Sequence, residues 1–464
     1  MKIAFIGGGS FQTISVVRSA MAEPKVFDGG EINLYDLNVP RAETIGRLLM
    51  RTPEYARIKC TVRWGTTLDK ALDGADAVSV VIPVGSPMVT RLSDQTCMRR
   101  GFIGGDQLSA SGAFRSLTGG QILWNIAKKM EKRCPDAWLA CFANPVAVYS
   151  GLVNNHTKIK CLGVCGGYQN HMWDLTRLMG RDAFCPDYNV EVAGINHCSF
   201  IIRGTLHGKD IYRLLAKHLT PDWRPPRIGA PWSPVMRRHI RYGLLKLAEQ
   251  FRKFGVVTFS TEGDGMAHLF YEEMFERSRE HFRPLTRAQI ARRIESWQQA
   301  RRQHDDSLRA LLDSDLGDDF WADHPRKHRG FGRSDNHITV KIIKALAGVG
   351  PQKIVTSRPN LGAVAGFKDR TVLEYSQILD RDSIVPYGDL AIPDAYHAVI
   401  APLATHQTLL GDAIATNDPK TLFHALHAYP IHQNTRASRT LWKELLDIHK
   451  DEIPAIFQKT KQYL

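Results

Sequence analysis

Residues 2–17, KIAFIGGGSFQTISVV, constrain the fold of this 464-residue chain more than any other stretch. An apolar run predicts a buried strand, three glycines predict a turn, and the residues after them predict the start of a helix. Bare glycines let the backbone approach a ligand closely, and the free N–H groups of a helix start attract phosphate. A second apolar run, Ile32–Tyr35, ends at Asp36, whose carboxylate can accept hydrogen bonds from a ribose diol. The pattern predicts a dinucleotide-binding half-site at the start of the chain.

Two plainer interpretations of this stretch stay open. A glycine turn after a strand is often only a turn, and Asp36 can be an ordinary residue at a strand end. The fingerprint G-x-G-x-x-G/A is met at Gly7 and Gly9 but has Gln12 at its last position. The strand order and the spacing of the acid nevertheless favour a dinucleotide as the ligand. The residues expected to contact this cofactor are the turn, the two residues after it and the acid: Gly7, Gly8, Gly9, Ser10, Phe11 and Asp36.

The composition describes a globular protein with room for two or three domains. Hydrophobic residues make up 43% of it, Met1 leads straight into the first predicted strand, and no apolar run approaches the ~20 residues of a membrane span. We therefore expect no signal peptide, no membrane partner and a cytoplasmic location. None of the eight cysteines forms a CxxC pair, which is typical of reduced thiols in a cytoplasm.

The net charge of +14 raises the question of nucleic-acid binding. The basic residues are spread along predicted helices such as 237–252 and 287–309, where acidic and apolar residues interleave with them. The sequence contains neither a basic arm nor an aromatic–basic platform. A solvated face is the simpler interpretation, and a site that attracts an anionic small molecule is the other. Nucleic acid is not expected as a partner.

Short apolar runs alternate with helical patterns through about residue 165, as in the βαβ units of a parallel sheet. We expect a Rossmann-like, doubly wound α/β domain over residues 1–185. An α+β domain over residues 186–464 is expected to carry the substrate and metal side and the oligomer contacts. The predicted fourth and fifth strands end at Pro83 and Asn144, and ligands of such sheets gather beyond the carboxyl ends of strands. Pro83 is therefore a further candidate for the cofactor.

The segment between these two strands is predicted to be a long loop. It runs from Gly85 through Arg91 and Asp94 to a helix that begins at Gly119.

One thiol and one imidazole follow predicted strands in the middle of the chain. Cys165 is followed by two glycines, and His197 follows Asn196. A thiolate and an imidazole supply two protein ligands of a divalent metal, with the other positions open to substrate oxygens or water. Two such residues far apart in sequence are no metal motif by themselves, and a cysteine after a strand usually packs in the core. Both interpretations stay open on these residues alone.

Segments over most of the chain, in the right order, resemble glycoside hydrolase family 4, the NAD- and divalent-metal-dependent glycosidases. The opening strand and turn, and the second strand with Asp36 and Arg41, resemble the NAD site of the family. GVCGGYQ and GINHCSF lie where the family carries its metal cysteine and histidine. The resemblance implies NAD, a divalent metal such as Mn²⁺, and a homodimer or homotetramer. The other matching segments are PVGSPMVTRLSDQ, MRRGFIGGDQLSASGAFRSL, FANPVAVYS, EGDGMAHLFYE, SDNHITVKIIKALAG and SRPNLGAVAGFKDRTVLEY through VPYGDL.

The resemblance implies a redox-neutral glycoside hydrolysis that differs from the two-carboxylate mechanism. NAD takes a hydride from C3 of the sugar, and the ketone formed acidifies the proton at C2. A metal bridging the C2 and C3 oxygens stabilises the enediolate, a base removes the C2 proton, and the aglycone leaves C1 by elimination. Water then adds and the hydride returns, so NAD is not consumed. This mechanism explains why a hydrolase would have a dinucleotide fold.

The resemblance also implies roles for single residues. Cys165 and His197 are the expected metal ligands. Tyr271 is the expected base at C2, with a pKa lowered by the nearby metal, and a half-buried aromatic is the plain alternative. Asp264 and His268 are expected to support the metal or the base, and the alternative for each is an ordinary polar residue. The expected substrate contacts are Arg91, Asp106, Arg115, Asn144, His268 and Asn360.

Four of these substrate contacts have a structural alternative. Asp106 and Arg115 can simply pair with each other, whereas Asn144 and Asn360 can each hold a turn.

The sequence departs from the family pattern at four places, one of which is a different spacing of the tyrosine segment. Gly166 follows the metal cysteine where His, Asn or Asp is frequent, and that position helps to sort substrates and can supply the leaving-group acid. Gly104-Gly105-Asp106 stands where a Gln-Glu pair is usual, and Ser109–Gly112 where prolyl-glycine is usual. In this divergent branch, the basic charge balance predicts an anionic glycoside, with a 6-phospho, uronic or sulfonated sugar.

Two other functions are weighed against the glycosidase. A dehydrogenase of a sugar or a 2-hydroxy acid shares the N-terminal fold and the hydride step, and it would accumulate NADH during turnover. A non-catalytic dinucleotide sensor or nucleic-acid binder would use the basic surface and would retain DNA in a salt-sensitive, NAD-independent way. Sugar release without net NADH is the signature of the hydrolase.

Overall fold

One sheet runs through the centre of the protein. The structure is a computed structural model that describes residues 1–10, 12–185, 187–229, 232–317, 320–321, 331–430 and 436–464, without the side chains of Tyr168, Gln169, Tyr271 and His281. The strands of the described chain are Lys2–Ile6 (β1), Glu31–Tyr35 (β2), Thr61–Trp64 (β3), Ala77–Val80 (β4), Trp138–Cys141 (β5), Lys160–Gly163 (β6), Tyr188–Ile195 (β7), Cys198–Leu206 (β8), Lys209–Asp210 (β9), Gln352–Pro359 (β10), Val372–Leu379 (β11) and Ile384–Pro386 (β12).

Helices connect the strands and cover both faces of the sheet. In the described chain they are Gln12–Met21 (α1), Val39–Leu49 (α2), Leu68–Leu72 (α3), Pro87–Arg99 (α4), Ala110–Arg133 (α5), Val146–His156 (α6), Tyr168–Leu178 (α7), Ile211–His218 (α8), Pro234–Phe254 (α9), Gly263–Leu269 (α10), Tyr271–His281 (α11), Arg287–Ala310 (α12), Ile338–Leu346 (α13), Asp394–Thr416 (α14), Pro419–Ala428 (α15) and Arg436–Ile448 (α16). Within these ranges, no helix is long and apolar enough to cross a membrane.

The first six strands form the parallel half of the sheet. They lie in the order β3-β2-β1-β4-β5-β6, which is the strand order of a doubly wound dinucleotide-binding fold. Helices on both faces bury these strands, and every residue of β4 and β5 is buried. One apolar core lies on the side of α1 and α2, and another lies on the side of α5 and α6. The predicted α/β class and parallel sheet are confirmed.

The sheet continues into the second half of the chain. β10 pairs antiparallel with β6 through Ser357 and Gly163, and β11 pairs with both β10 and β7. A side chain at Gly163 would collide with the start of α6, because a Cβ there would lie 2.7 Å from the Val146 carbonyl oxygen. A third apolar core lies between the β7–β8 hairpin and helices α7, α8 and α9. This half has the predicted α+β character, and the division near residue 185 stays a prediction.

Two helices occupy the segment that was predicted to be a long loop. α4 begins after Ser86, whose hydroxyl accepts a first-turn amide at 3.2 Å, and Pro87 stands at the first helical position. α5 begins at Ala110 and not at Gly119. The loop prediction was wrong because Ser86 and Pro87 form a helix-start signal, in which the hydroxyl caps the first turn and the proline suits the first helical position. Two candidate residues, Arg91 and Arg115, therefore lie on helices, and so does Asp94.

Candidate active site

The glycine turn between β1 and α1 packs so closely that it has no room for side chains. Gly7 has φ +89°, and a Cβ there would lie 2.0 Å from a backbone carbonyl oxygen just beyond β4. The amides of Gly7 and Gly8 both donate to the Tyr35 carbonyl, at 2.9 and 3.0 Å. The Gly9 amide donates to Asp36 Oδ2 at 2.9 Å. The turn is thus joined to the end of β2, where the acid of the predicted half-site stands.

Asp36 and Arg41 flank the turn on its other side. The second oxygen of Asp36 accepts the Asn38 amide at 2.8 Å, and a Cβ on Gly9 would lie 2.8 Å from Oδ2. Arg41, on α2, is buried, and its Nε lies 3.1 Å from Asp305 Oδ1 on α12. The strand, the turn, the acid and the helix are therefore assembled in the arrangement that a dinucleotide half-site requires.

The remaining residues predicted to contact the cofactor follow the carboxyl ends of β1 and β4. The Ser10 carbonyl accepts the Thr13 amide at 3.0 Å at the start of α1. Phe11 lies outside the described residues. β4 ends at Val80, before Pro83, which is exposed beyond the strand. As contacts to NAD, these three residues stay predictions.

Cys165 and His197 meet although they are far apart in sequence. Cys165 Sγ lies 3.8 Å from His197 Nε2, and the Gly167 amide donates to the sulphur at 3.3 Å. Metal–ligand bonds of about 2.0–2.3 Å place two ligand atoms roughly 3.5–4 Å apart, so a single divalent ion fits between the two atoms. Cys165 follows β6, and His197 stands in the β7–β8 turn with φ +67°. The structure thus brings the two predicted metal ligands together.

Asp264, on α10, fixes the ring of His197. Its Oδ1 accepts the His197 Nδ1–H at 2.7 Å, which leaves Nε2 on the side of Cys165 for a metal. Its Oδ2 accepts the amides of Gln107 and Leu108 at 3.2 and 3.0 Å. Burial raises the pKa of this carboxyl, but the charge and hydrogen bond of His197, together with the two amides, hold the pKa well below its usual range.

Two glycines allow α10 to approach the turn that carries His197 and allow the loop before α5 to approach Asp264. A Cβ on Gly265 would lie 1.7 Å from the His197 carbonyl oxygen, so α10 can pack against the β7–β8 turn only without a side chain there. A Cβ on Gly105 would lie 3.0 Å from the Asp264 carboxylate. The departure from the family pattern at Gly105 therefore has a structural reason, because the loop before α5 packs directly on Asp264.

Asn144 and Asp106 are joined by a hydrogen bond at the carboxyl end of β5. Asn144 Nδ2 donates to Asp106 Oδ2 at 2.7 Å, and Asn144 Oδ1 accepts from Gln107 Nε2 at 2.6 Å. Gln107 Oε1 accepts the Val146 amide at 3.0 Å, which ties the loop to the start of α6. Gln107 was not among the site residues predicted from the sequence, and no local motif marks it. Because Gln107 also donates its amide to Asp264, these residues form one connected polar group.

Arg115 pairs with Asp94 and not with Asp106. Its Nη2 lies 2.7 Å from both oxygens of Asp94, which also accepts the Ser111 hydroxyl at 2.7 Å. Burial raises the pKa of the Asp94 carboxyl against the opposing effects of Arg115 and Ser111. Arg91 is exposed on α4, one turn before Asp94. The alternative in which Asp106 and Arg115 bind each other is wrong.

His268 and Tyr271 lie at the far end of α10. His268 Nε2–H donates to the Leu108 carbonyl at 2.8 Å, and its Nδ1 has no hydrogen bond within the described part of the chain. Burial lowers the pKa of this imidazole. His268 thus braces the loop whose amides bind Asp264. Tyr271 begins α11, but its side chain lies outside the described residues, so its role as a base stays a prediction.

The side chain of Asn360 holds a turn. It is fully buried, its Oδ1 accepts the Val364 amide at 2.7 Å, and its Nδ2 donates to the carbonyls of Val364 and Phe367, both at 3.0 Å. Both amide hydrogens are used in these bonds, and none remains for a sugar hydroxyl. The contacts are those of the turn-holding alternative, and the geometry does not support the predicted substrate contact.

The turn that carries His197 is held by a residue that the sequence analysis missed. Glu374, on β11, is buried and accepts from Asn196 Nδ2 at 2.7 Å and from the Ser199 hydroxyl at 2.8 Å. Asn196 and Glu374 are 178 residues apart, so no local pattern signals the contact.

Comparisons with known proteins identify the family of the chain. The model of "Family 4 glycosyl hydrolase" matches residues 2–180, and that of its C-terminal domain matches residues 192–431. The chain is 24% identical to an alpha-galacturonidase of Thermoanaerobacter italicus, over 96% of each chain. It is also 24% identical to an alpha-galactosidase of Bacillus subtilis, over 98% of this chain and 99% of that one.

A solved structure shares the whole fold. A 6-phospho-beta-glucosidase of Thermotoga maritima, crystallised with manganese, NAD⁺ and glucose-6-phosphate, superposes with a TM-score of 0.72 at 17% identity over 98% of this chain and 99% of that chain. The doubly wound fold and the assembled glycine turn, together with both family models, define an enzyme of the glycoside hydrolase class. The chain belongs to glycosyl hydrolase family 4.

Proposed function

We propose that this protein hydrolyses an O-glycoside of an anionic sugar with the help of NAD and a divalent metal. The observation that carries the proposal is the pair formed by Cys165 and His197, whose Sγ and Nε2 lie 3.8 Å apart, with the free histidine nitrogen directed to the sulphur by Asp264. The thiolate and the imidazole supply two ligands of a divalent ion, the carboxylate behind the imidazole fixes its orientation, and the other positions are left for substrate oxygens. We propose Mn²⁺ because the related Thermotoga maritima enzyme was crystallised with manganese.

The N-terminal half-site suits NAD. Gly7, Gly8 and Gly9 provide bare backbone at the start of α1, and Asp36 stands at the end of β2 beside them. When bound, NAD would accept and return a hydride at C3 of the sugar, and the metal would polarise the C2 and C3 oxygens. The related Thermotoga maritima enzyme was crystallised with both groups, which supports the same pair of cofactors here.

The chain's own residues have defined tasks in this proposal. Cys165 and His197 hold the metal, and Asp264 orients His197. Tyr271 takes the C2 proton. Asp106 and Asn144, which are hydrogen-bonded to each other beyond β5, bind sugar hydroxyls.

An anionic sugar is supported by the net charge of the chain and by the substrates of related enzymes. The chain carries a net charge of +14, and Arg91 and Arg115 lie on α4 and α5 beside the site, although Asp94 neutralises Arg115. One relative acts on galacturonides and another was crystallised with a sugar phosphate, whereas the alpha-galactosidase shows that the family also takes neutral sugars. We include a cytoplasmic location and a homodimer or homotetramer in the proposal.

A substrate panel tests the proposed function. Aryl glycosides with uronic, 6-phosphorylated, sulfonated and neutral sugars are incubated with the purified protein, with and without NAD and Mn²⁺. We expect release of the aryl alcohol from an anionic glycoside only when both are present, with no net NADH. Steady NADH accumulation would instead identify a dehydrogenase. Full activity after complete removal of the dinucleotide would contradict the proposal.

A further inference from the structure

His171 is a buried imidazole that takes no part in the contacts described above. It lies in the first turn of α7 and is 4% exposed. Neither ring nitrogen has a hydrogen-bond partner among the described residues. A buried polar group without a partner costs on the order of 1–3 kcal/mol, so such a group at an active site is a candidate for binding a ligand.

The ring of His171 faces the predicted metal cysteine across Gly167. A Cβ on Gly167 would lie 2.8 Å from His171 Nε2 and 3.3 Å from Cys165 Sγ, so a glycine is needed for the two groups to stand this close. Gly166, by contrast, is exposed, and a Cβ there would meet no described atom within 4 Å. Among the described residues, the backbone after Cys165 is therefore open at Gly166, and at Gly167 it lies close to both the cysteine sulphur and His171 Nε2.

A carboxylate stands beside the imidazole, and buried contacts hold the two elements together. Glu262 Oε1 lies 3.9 Å from His171 Nε2, directly before α10. The next turn of α7 is tied to the same segment, because the Thr261 hydroxyl donates to Asp174 Oδ2 at 2.8 Å. Arg177 donates to the other oxygen of Asp174 at 2.7 Å. The relative position of the imidazole and the carboxylate is thus fixed by the fold.

We propose that His171, paired with Glu262, protonates the glycosidic oxygen of the leaving aglycone. The inference rests on the proposed function, which places the C2 and C3 oxygens of the sugar at Cys165 and His197. The glycosidic oxygen is bonded to C1, and C1 is bonded to C2. The glycosidic oxygen therefore comes next to the residues that follow Cys165. The bare backbone at Gly166 leaves room for the aglycone there.

The step balances without any further reagent. As the bond between C1 and the glycosidic oxygen breaks, its electron pair stays on that oxygen, which takes the proton from His171 and leaves as an alcohol. The electron pair that remains at C2 after the loss of its proton forms the C1–C2 double bond. The neutral imidazole then accepts a proton from the water that adds to C1, which restores His171. Glu262 stabilises the protonated ring.

Leaving-group dependence tests this role. The kcat of His171→Ala is compared with that of the wild type on two substrates with the same sugar, a 4-nitrophenyl glycoside and a methyl glycoside. 4-Nitrophenolate can leave without being protonated, whereas methoxide must be protonated in order to leave. We expect kcat to fall by less than about tenfold on the first substrate and by about 100-fold or more on the second. His424→Gln, an exposed histidine on α15, serves as the control and is expected to match the wild type on both.

Two further variants separate a chemical role from a structural one. Glu262→Gln should give a smaller loss of the same selective kind. Gly167→Ala, whose Cβ would meet both His171 Nε2 and Cys165 Sγ, should combine the selective loss with a weaker affinity for Mn²⁺. Exchange of the C2 proton with deuterated solvent and the affinity for Mn²⁺ should persist in His171→Ala. An equal fall of kcat on both substrates, or no fall, would overturn the role of His171 while leaving the proposed function intact. Failure of the wild type to cleave any glycoside in the presence of NAD and Mn²⁺ would instead refute the proposed function, and this inference with it.

Discussion

His197 and Asp264 form a single hydrogen-bonded unit, with Nδ1 and Oδ1 2.7 Å apart across 67 residues of sequence. The carboxylate is itself held by two backbone amides of the loop before α5. The ring therefore has one orientation, and its Nε2 lies next to the sulphur of Cys165. A metal bound there would meet a preorganised nitrogen ligand.

Removal of the carboxylate charge should weaken metal binding. We expect Asp264→Asn to lower the affinity for Mn²⁺ by about 10- to 100-fold, because the amide can no longer fix the imidazole as a carboxylate does. The dissociation constant is measured by electron paramagnetic resonance of free Mn²⁺. Asp306→Asn, an exposed aspartate on α12, should bind like the wild type. Equal affinities in all three proteins would contradict the orienting role of Asp264.

The proposed metal ligand Cys165 gives a sharper test. Cys165→Ser should lose Mn²⁺ affinity and glycosidase activity together, because a neutral hydroxyl replaces a thiolate. The matched control is Cys60→Ser, a half-buried thiol outside the site. Full activity of the wild type in strong chelator would show that the metal is dispensable.

The close packing of the glycine turn predicts the effect of a side chain there. In Gly9→Val the new Cβ would lie 2.8 Å from Asp36 Oδ2, in the space that the amide–carboxylate hydrogen bond requires. We expect NAD affinity to fall at least about 100-fold, which corresponds to roughly 3 kcal/mol. Quenching of intrinsic fluorescence by NAD measures it, and Gly388→Ala, where a Cβ meets nothing within 4 Å, is the control. Unchanged affinity would refute the placement of NAD.

The base at C2 is tested by isotope exchange. If Tyr271 removes this proton, Tyr271→Phe should stop the exchange of the C2 proton with deuterated solvent, since the phenol oxygen is lost. Nuclear magnetic resonance of the recovered sugar follows the exchange, with the exposed Tyr463→Phe as the control. Normal exchange in Tyr271→Phe would assign the base to another residue.

A buried aspartate far from the site makes stability depend on pH. Burial raises the pKa of Asp412, but hydrogen bonds from His156 and Arg370 and their charges outweigh this and lower the pKa below its usual range. A carboxyl with a lowered pKa in the folded state stabilises above its unfolded pKa of about 3.9, and this stability is lost as the pH falls through the folded value. We expect Asp412→Asn to be less stable than the wild type by about 1–3 kcal/mol at pH 7, with a difference that shrinks below pH ~4. Urea unfolding of the two proteins measures the difference in stability at pH 7 and at lower pH. A difference that is independent of pH would contradict this account.

The parts of the site that the sequence predicts well are those whose signal is local. The glycine turn beside Asp36 can be predicted from adjacent residues, because the strand, the turn and the helix follow one another directly in the sequence. Cys165 and His197 were predicted to be metal ligands because the short segments around them resemble those of the family, and the fold brings the two side chains together. The strand order follows from the alternation of strands and helices, which permits few connections.

What only the tertiary structure decided is the pairing of polar groups across the chain. Arg115 binds Asp94, Gln107 links Asn144 to Asp264, and Glu374 holds the turn before His197. The partner of a buried charge is the group that the packing of whole elements places within hydrogen-bond distance, and the energy of that contact does not depend on separation in sequence. The sequence by itself determined which chemical groups the site contains, and the three-dimensional packing determined which of them orient the others.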